Sequence, residues 1–388
     1  MSQQLEVPVD KRRDVLDPVP ELLELGARAP LFRDTITGVF DWMAVGRGVV
    51  REILGDAERF SSNPPPDGDG RRMAPQPGNL LQSDPPSHTR LRRFVVPLFT
   101  VRRMQRLAPT VERIVAERLD LLERSGRPAD LMRLFARPVA GLTCAALLGL
   151  PRDDLTELSR LADHRASPHS PRRDPASRAY FAHILRLVVD RRRDPGDDLL
   201  GTLIREHGDE LDDEELAGLC EGIISGTLEN SAEMLGLSTL ALIRHPDQAA
   251  LLRERPELME RAVEELLRYV SVVAAVSPRT AQQDVTIGGE TIKAGEVVAC
   301  SVFAANRCPH ADGAADGLDI TREPGSHLAL GHGIHFCLGA ALARMQLRVA
   351  LTGLLERFPG LRLGVGVDEL RFRLLAPQYG VETLPVIW

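Results

Sequence analysis

The segment from residue 324 to residue 343 constrains the fold of this chain more than any other part of the sequence. Its twenty residues include no Asp, Glu, Lys or Arg, and twenty residues is the length of a membrane span. One proline, four glycines and three histidines interrupt the segment, however. Because Gly and Pro mark turns and loops, we expect a glycine-rich loop that leads into a helix, and not a membrane-spanning helix.

Cys337 lies in this loop, directly before a predicted helix over 338–358, and Gly331, Gly333 and Gly339 flank it. A cysteine at a helix N-terminus faces the positive end of the helix dipole, which lowers its pKa and favours the thiolate. Glycines also let backbone N–H groups approach the sulfur closely. The residues alone leave three alternatives: a nucleophile, a soft-metal ligand, or a buried cysteine in a turn.

Composition and charge exclude several classes of protein. Apolar residues make up 43% and charged residues 27%, which is typical of a soluble globular protein. The net charge of −7 argues against a dedicated nucleic-acid binder and against a basic membrane-surface protein. Residues 1–10 lack the apolar core of a signal peptide, so we expect a cytoplasmic protein with reduced thiols. The other four cysteines are predicted to be small buried side chains.

Hydrophobic periodicity predicts a mainly α protein with small β-sheets, and no linker divides it, so 1–388 is predicted to be a single domain. A Pro- and Gly-rich stretch over 61–82 is expected to be a long functional loop. A second break, over 167–175, separates two helices. The pattern is helical from residue 84 to about residue 243, with helical periodicity over 114–122, 131–150 and 180–189. Individual helices are predicted over 49–60, 212–244, 257–270 and 338–358. The predicted strands are 30–36, 39–46 and a glycine-turn hairpin over 285–292.

Two further segments accompany the cysteine loop. Glu265 and Arg268 stand one helical turn apart, and a helix that begins near Asp84 places His88 and Arg92 on one face. In this order along nearly the whole chain, these motifs resemble the cytochrome P450 family, in its soluble bacterial branch. The resemblance implies the cytochrome P450 fold, with haem between a long distal helix, 212–244, and the Cys-ligand loop and helix start, 324–343.

The resemblance also implies roles for individual residues. Cys337 would be the axial thiolate ligand of the iron of haem b, where thiolate donation favours O–O cleavage. The two buried propionates of the haem need positively charged groups or N–H donors beside them. Gly339 would let a backbone N–H donate to the sulfur of Cys337. The implied cofactor-binding residues are His88, Arg92, Arg279, His335, Cys337 and Gly339. An ion-pair network behind the haem, implied to be structural, consists of Glu265, Arg268 and Arg322.

The distal helix departs from the family pattern at Asn230, where the family usually has a threonine that helps to relay protons to dioxygen. The preceding acid, Glu229, is retained. An amide donates and accepts hydrogen bonds but does not readily exchange a proton. Asn230 could organise a relay water, a substrate group could supply the proton, or the enzyme could couple or desaturate its substrate without oxygen insertion. If the alignment is shifted by one residue, Ser231 supplies the hydroxyl.

The implied activity is that of an oxidoreductase, a monooxygenase that oxidises a neutral, bulky secondary metabolite such as a macrolide, terpenoid or cyclic dipeptide. Oxidative coupling, ring closure or desaturation is the first alternative, and a non-catalytic haem protein that binds a ligand is the second. Substrate contacts are expected from the loop over 61–82, from the segment over 272–276 and from the turn over 376–379. The predicted substrate-binding residues are Met73, Ile223, Gly226, Thr227, Val273 and Val276.

No flavin or ferredoxin module is recognised in the chain, so electrons from NAD(P)H are expected to arrive through a separate ferredoxin and ferredoxin reductase. An arginine-rich face around Cys337 is a candidate dock for an acidic ferredoxin, and a merely solvated arginine surface is the alternative. The arginines expected on this face are Arg93, Arg102, Arg103 and Arg344.

Overall fold

The computed structural model describes residues 12–34, 40–63, 75–166, 173–307, 317–374 and 376–388. Helices dominate these ranges, as the periodicity predicts. The α-helices are α1 (Pro20–Arg28), α2 (Arg47–Gly55), α3 (Ser87–Val95), α4 (Val101–Arg124), α5 (Arg137–Leu148), α6 (Arg152–Ala166), α7 (Arg173–Arg193), α8 (Leu199–His207), α9 (Asp213–Ser225), α10 (Ser231–Arg244), α11 (Pro246–Glu254), α12 (Met259–Val270), α13 (Val302–Arg307) and α14 (Ala340–Arg357).

The strands are short and form small sheets. They are β1 (Arg13–Asp14), β2 (Asp17–Pro18), β3 (Leu31–Arg33), β4 (Trp42–Ala44), β5 (Phe60–Ser61), β6 (Ala129–Asp130), β7 (Ala275–Ala281), β8 (Val285–Ile287), β9 (Glu290–Ile292), β10 (Val297–Ser301), β11 (Arg362–Leu363) and β12 (Pro385–Ile387). A five-stranded sheet has the order β3-β4-β10-β7-β5, with β10 parallel to β4 and antiparallel to β7. The predicted hairpin is present as β8 and β9, which pair Val285 with Ile292.

The long helix predicted for 212–244 is present as α9, a π-helical turn (Gly226–Asn230) and α10 in direct succession. Asp212 caps its N-terminus, because its side chain accepts a hydrogen bond from the Glu215 N–H at 2.8 Å. Pro246 opens the next helix after His245. The π turn inserts one extra residue, which changes the direction of the side chains that follow it.

The main hydrophobic core surrounds α10. Every residue from 232 to 242 is buried, and α10 packs against α5, α12 and α14. A helix that is buried all round belongs to the interior of a large domain, which explains why its sequence shows no polar face. The five-stranded sheet packs on a smaller cluster of its own, which includes Trp42 and Val298. The mainly α, single-domain fold predicted from the sequence is confirmed.

Residues 75–82, the described end of the predicted 61–82 loop, pack directly against α9. A Cβ atom at Gly218 would lie 1.9 Å from the Pro77 carbonyl oxygen, and one at Gly78 would lie 2.2 Å from the Glu215 carbonyl oxygen. Gly78 also has a φ of 76°, in the left-handed region that favours glycine. Two glycines therefore allow backbone-to-backbone contact between this segment and the distal helix.

Three predicted boundaries are wrong, two of them for local physical reasons. Helix α2 ends at Gly55 instead of 60, because the Asp56 side chain accepts the Arg59 N–H at 2.9 Å and closes a turn. Pro175 lies in the first turn of α7 instead of in the 167–175 break, a position where proline costs no hydrogen bond. Helix α14 begins at Ala340, two residues after the predicted start.

The segment 324–343 contains only a short helical turn (Gly333–His335) before α14 begins. Among the helices in the described part of the chain, none combines the length and apolar character needed to cross a bilayer. The interpretation of this segment as a loop is therefore correct.

Candidate active site

The backbone of the loop before α14 fixes the position of Cys337. Gly333 has a φ of 70°, and a Cβ atom there would lie 2.3 Å from the Leu54 carbonyl oxygen at the end of α2. The Cys337 N–H donates to the Leu330 carbonyl at 2.8 Å. The Gly339 N–H donates to the Cys337 sulfur, as the flanking glycines predict. The loop is thus held against α2, and the direction of the thiol is set by main-chain contacts.

The protonation state of Cys337 differs from the sequence expectation. Burial raises the pKa of its thiol, although the Gly339 N–H and the Arg92 and Arg344 guanidinium groups act to lower it. The helix dipole does not dominate, because α14 begins three residues beyond the sulfur. A coordinating metal removes the proton from such a thiol outright. The site therefore favours a soft-metal ligand over a free thiolate nucleophile.

Four predicted cofactor-binding side chains gather beside this loop. The ring centroids of His88 and His335 are 4.4 Å apart, and Arg92 Nη2 donates to the Phe336 carbonyl at 2.5 Å. Burial lowers the pKa of both imidazoles, and the Arg279 and Arg92 charges help to lower that of His335 to about 3. Both rings are therefore neutral at pH 7. His335 uses its ring nitrogens within the protein, on Ser62 Oγ at 2.9 Å and on the Leu80 carbonyl, so only His88 keeps a free ring nitrogen for a ligand.

Two members of this set are buried and fit an anionic ligand. His88 is 2% exposed, and its Nε2 has no hydrogen-bond partner among the described residues. Arg279 is 4% exposed, and its Nη1 donates to the Ser277 carbonyl two residues away on β7. The neighbouring Asp84 carboxylate already accepts the Ser62 N–H at 2.8 Å. Buried donors of this kind are costly until an acceptor arrives, so they fit the two propionates of a haem.

The predicted structural ion pairs meet in the interior. Arg268 donates to both carboxylate oxygens of Glu265, at 2.7 and 2.8 Å, and both residues are buried. Arg322 Nε lies 3.2 Å from Glu265 Oε2. Arg268 also donates to the carbonyls of Asn306 and Gly317, at 2.9 and 3.0 Å. The network thus joins α12 to α13 and to the segment that leads to the Cys337 loop.

Glu264, which sequence reasoning missed, ties α12 directly to the helix that follows Cys337. Arg344 on α14 donates to both oxygens of Glu264, at 2.6 and 2.8 Å, and His327 Nε2 lies 3.2 Å from Oε2. Burial acts to raise the pKa of Glu264, but these hydrogen bonds and charges outweigh it and lower the pKa to about 2. No local pattern in the sequence could have paired residues 80 positions apart.

The predicted catalytic residues lie at the π turn of the long helix. Asn230 is the last residue of that turn, with Glu229 before it and Ser231 after it, and all three are half-buried. The Asn230 Oδ1 atom is buried and has no hydrogen-bond partner among the described residues. A Cβ atom at Gly222 or Gly226 would meet no atom within 4 Å. The glycines open one side of the helix, and the amide oxygen is available to a ligand.

The predicted substrate-binding residues have different surroundings. Ile223 and Thr227 are buried, and the Thr227 hydroxyl donates to the Ile223 carbonyl at 2.8 Å, so that hydroxyl is already used within the helix. Val273 and Val276 are partly buried on the segment after α12. Met73 lies outside the described residues.

The four arginines expected to bind a ferredoxin are not equivalent. Arg344 is held by the ion pair with Glu264, and Arg93 donates to Glu210 at 3.0 Å. Arg102 is exposed and Arg103 is half-buried on the first turn of α4. These last two side chains are therefore the better candidates for a charged partner.

Comparison with known proteins identifies the family. A family model described as "Cytochrome P450" matches residues 172–361. "Cytochrome P450 165B3" of Amycolatopsis orientalis is 42% identical over 401 aligned positions, which cover all of both chains.

Two solved structures share the whole fold. OxyC, described as a cytochrome P450 implicated in an oxidative C–C coupling reaction during vancomycin biosynthesis, is 43% identical with a TM-score of 0.88. That comparison covers 99% of this chain and 98% of OxyC. StaH, a P450 from the biosynthesis of a glycopeptide antibiotic, is 46% identical with a TM-score of 0.88. That comparison covers 99% of this chain and 100% of StaH.

Proposed function

The chain belongs to the cytochrome P450 family of oxidoreductases. On that premise we propose that it forms a bond between two aromatic side chains of a neutral, bulky peptide, and that no oxygen atom from dioxygen enters the product. Oxidative coupling is the first alternative that the sequence leaves open. Its main support is the Asn230 amide oxygen, which is buried, has no partner in the described chain and replaces the usual threonine. The similarity to OxyC and StaH supports the reaction type and the peptide substrate class.

The family cofactor is haem, and the donor set described above fits it. Arg92 and Arg279 would neutralise the propionates, the neutral ring of His88 would donate an N–H group, and Cys337 would ligate the iron. The His335 ring would pack beside His88, where Ser62 and Leu80 hold it. When bound, the haem supplies the activation of dioxygen. The chain contributes the placement of the thiol, the charge balance around the propionates and the shape of the pocket on the side of the long helix.

Asn230 suits a reaction in which the substrate is the hydrogen donor. Its amide oxygen can only accept a hydrogen bond, so it can orient a phenol O–H of the substrate. In the overall reaction two X–H bonds of the substrate break and one new bond joins the two groups. Dioxygen takes up these two hydrogens, together with two electrons and two protons from outside, and leaves as two water molecules.

Oxygen insertion is the second candidate, and Ser231 favours it. This half-buried hydroxyl follows Asn230 directly and could supply the exchangeable proton that the amide lacks. The two reactions give different products from the same substrate.

Electrons are proposed to come from NAD(P)H through a ferredoxin reductase and a ferredoxin in the cytoplasm. The exposed apolar side chains beside the arginines of α4 support a docking face there. Val96 and Val101 are 45% and 63% exposed, and Phe336, next to Cys337, is 40% exposed. An apolar centre with a basic rim is a common design for a transient protein interface.

The deciding experiment screens linear, tyrosine-containing peptides for a shift of the Soret band. The best binder is then incubated with ferredoxin, ferredoxin reductase and NADPH, and the product is weighed by mass spectrometry. We expect the loss of two hydrogen atoms for each bond closed, and no change without reductant. Gain of one oxygen atom would overturn coupling in favour of insertion. Absence of a red-shifted carbon monoxide complex would overturn the haem-thiolate assignment itself.

A further inference from the structure

A buried carboxylate that the reaction does not use lies on the distal helix, three residues after Asn230. Glu233 is 1% exposed. Arg373 Nη1 donates to its Oε1 at 2.8 Å, and the Val381 N–H donates to its Oε2 at 3.2 Å. Arg137 Nη2 lies 3.9 Å from Oε1. Both oxygens are therefore bound by groups that belong to other parts of the chain.

The carboxylate lies against the base of a turn near the C-terminal end of the chain. A Cβ atom at Gly380 would come within 2.1 Å of Glu233 Oε2, so only glycine allows this contact. The Arg373 N–H donates to the Gly380 carbonyl at 2.8 Å, and Phe372 forms a β-bridge with Val381. Glu233 thus binds both sides of the turn at the point where they come together.

The tip of this turn contacts the segment that follows α12. Gln378 forms a β-bridge with Val273, and the Tyr379 N–H donates to the Val272 carbonyl at 2.7 Å. The sequence predicts that both the segment over 272–276 and the turn over 376–379 contact substrate. Glu233 therefore connects two predicted substrate-contact segments to the helix that carries Asn230.

Hydrophobic burial alone does not explain a carboxylate at this position. Burial raises the pKa of Glu233 even though the Arg373 and Arg137 charges and two hydrogen bonds act to lower it. A well-packed apolar side chain would avoid the cost of desolvating the ion pair. What the carboxylate provides, and an apolar group cannot, is a fixed direction and distance to a guanidinium and to a backbone N–H.

We propose that Glu233, paired with Arg373, is a positioning residue that determines specificity by holding the 376–379 turn at a fixed distance from the distal helix. The ion pair acts on the size and shape of the pocket and not on the reacting atoms. The proposal rests on the proposed function only in requiring a haem-containing pocket, and it applies equally to bond formation and to oxygen insertion.

Two azoles of different size test this role in the haem-loaded protein. Imidazole is small, so its affinity depends on the haem site alone, whereas clotrimazole is bulky and extends to the walls of the pocket. For Glu233→Gln we expect the clotrimazole dissociation constant to rise about tenfold and that of imidazole to stay within about twofold. Titrations of the Soret band give both constants, and the carbon monoxide spectrum checks the haem site separately.

A second variant and a matched control complete the test. Arg373→Gln breaks the same contact from the side of the turn and should give the same pattern. Asp198→Asn breaks another partly buried ion pair, with Arg191, whose side chains are 12% and 21% exposed. It should leave both azole constants unchanged.

Equal weakening of both azoles by Glu233→Gln, or no weakening of either, overturns the proposal. Failure of both Glu233→Gln and Arg373→Gln to bind haem assigns the ion pair to folding and overturns it as well. If the unchanged protein lacks a red-shifted carbon monoxide complex, the proposed function fails instead.

Discussion

The ion-pair network behind Cys337 and the π turn of the long helix, Gly226–Asn230, differ in how completely the protein satisfies its own polar groups. On the Cys337 side, Glu265 and Glu264 each bind an arginine through both oxygens. On the side of the long helix, two glycines leave open space, and Asn230 Oδ1 has no partner in the described chain. Buried polar groups are normally paired, so an unpaired one indicates where a ligand belongs.

This difference separates stability from reactivity. Substitutions on the Cys337 side should destabilise the protein or weaken haem binding, because they leave a buried charge without its partner. Substitutions at the π turn of the long helix should leave the fold intact and change how dioxygen and the substrate react. Each experiment below tests this division, beginning with the largest expected effect.

Arg268→Ala removes the centre of the buried network and leaves Glu265 buried without its bidentate partner. We expect the free energy of unfolding to fall by about 3–5 kcal/mol, with a lower ratio of Soret to protein absorbance. Urea denaturation measures the first quantity. Arg113→Ala is the control, since its pair with Glu117 is exposed and should contribute at most about 0.5 kcal/mol. Equal losses in the two variants would contradict a structural role for the network.

Glu264→Gln tests the contact between α12 and α14 through its pH dependence. The pKa of this carboxyl is lowered from 4.5 to about 2 in the folded protein. Its contribution to the free energy of unfolding is therefore complete at pH values above the pKa of the unfolded state, and is lost as the pH falls towards 2. We expect a cost of about 2–3 kcal/mol at pH 7, and a difference from the unchanged protein that narrows below about pH 5.

The same substitution at Glu323, whose side chain is 81% exposed in its pair with Arg261, is the control for Glu264→Gln. Its free energy of unfolding should differ little from that of the unchanged protein at any pH, because an exposed ion pair contributes little to stability. Urea denaturation between pH 4 and pH 8 measures both variants. A constant difference between Glu264→Gln and the unchanged protein across this range would disprove the linkage.

Asn230→Thr restores the usual hydroxyl on the side of the long helix. We expect stability to change by less than about 1 kcal/mol, because the site is only half-buried, while peroxide released per NADPH falls and oxygen insertion appears among the products. Ser231→Ala is the matched test of the shifted alignment. If Ser231→Ala raises peroxide release and Asn230→Thr changes nothing, Ser231 is the relay and Asn230 is not.

Arg102→Glu together with Arg103→Glu should have the smallest effect, because it acts at the surface. We expect reduction by ferredoxin to slow by about threefold to tenfold at low salt, and the effect to fade as salt screens the charges. Arg124→Glu is the control at the opposite end of the same helix, about 30 Å away at 1.5 Å per residue. Stopped-flow reduction that is equally slow in both would exclude a specific docking site.

The parts of the site that could be predicted from the sequence are local in the chain. The glycines around Cys337 and the pairing of Glu265 with Arg268 one turn later both depend on neighbours within a few residues. Periodicity rules describe such neighbours directly. The sequence alone is therefore enough to predict these features.

The features of the site that could not be predicted from the sequence depend on contacts between distant residues or on burial. The pairs of Glu264 with Arg344 and of Glu233 with Arg373 join residues 80 and 140 positions apart, which no periodicity relates. The position of Cys337 near a helix N-terminus predicts a lowered pKa, but the depth of the sulfur decides the direction of the shift. Depth is a property of the packed fold and not of the local motif.

The contact between Gly78 and Gly218 has a consequence for the evolution of substrate range. Because each glycine meets the backbone of the other segment, replacement of either by alanine forces the two segments apart. The sequence predicts that the 61–82 loop contacts substrate, and on that prediction a lineage under selection for a larger substrate could widen this edge of the molecule by gaining one methyl group. Homologues that accept substrates of different size are the place to look for that change.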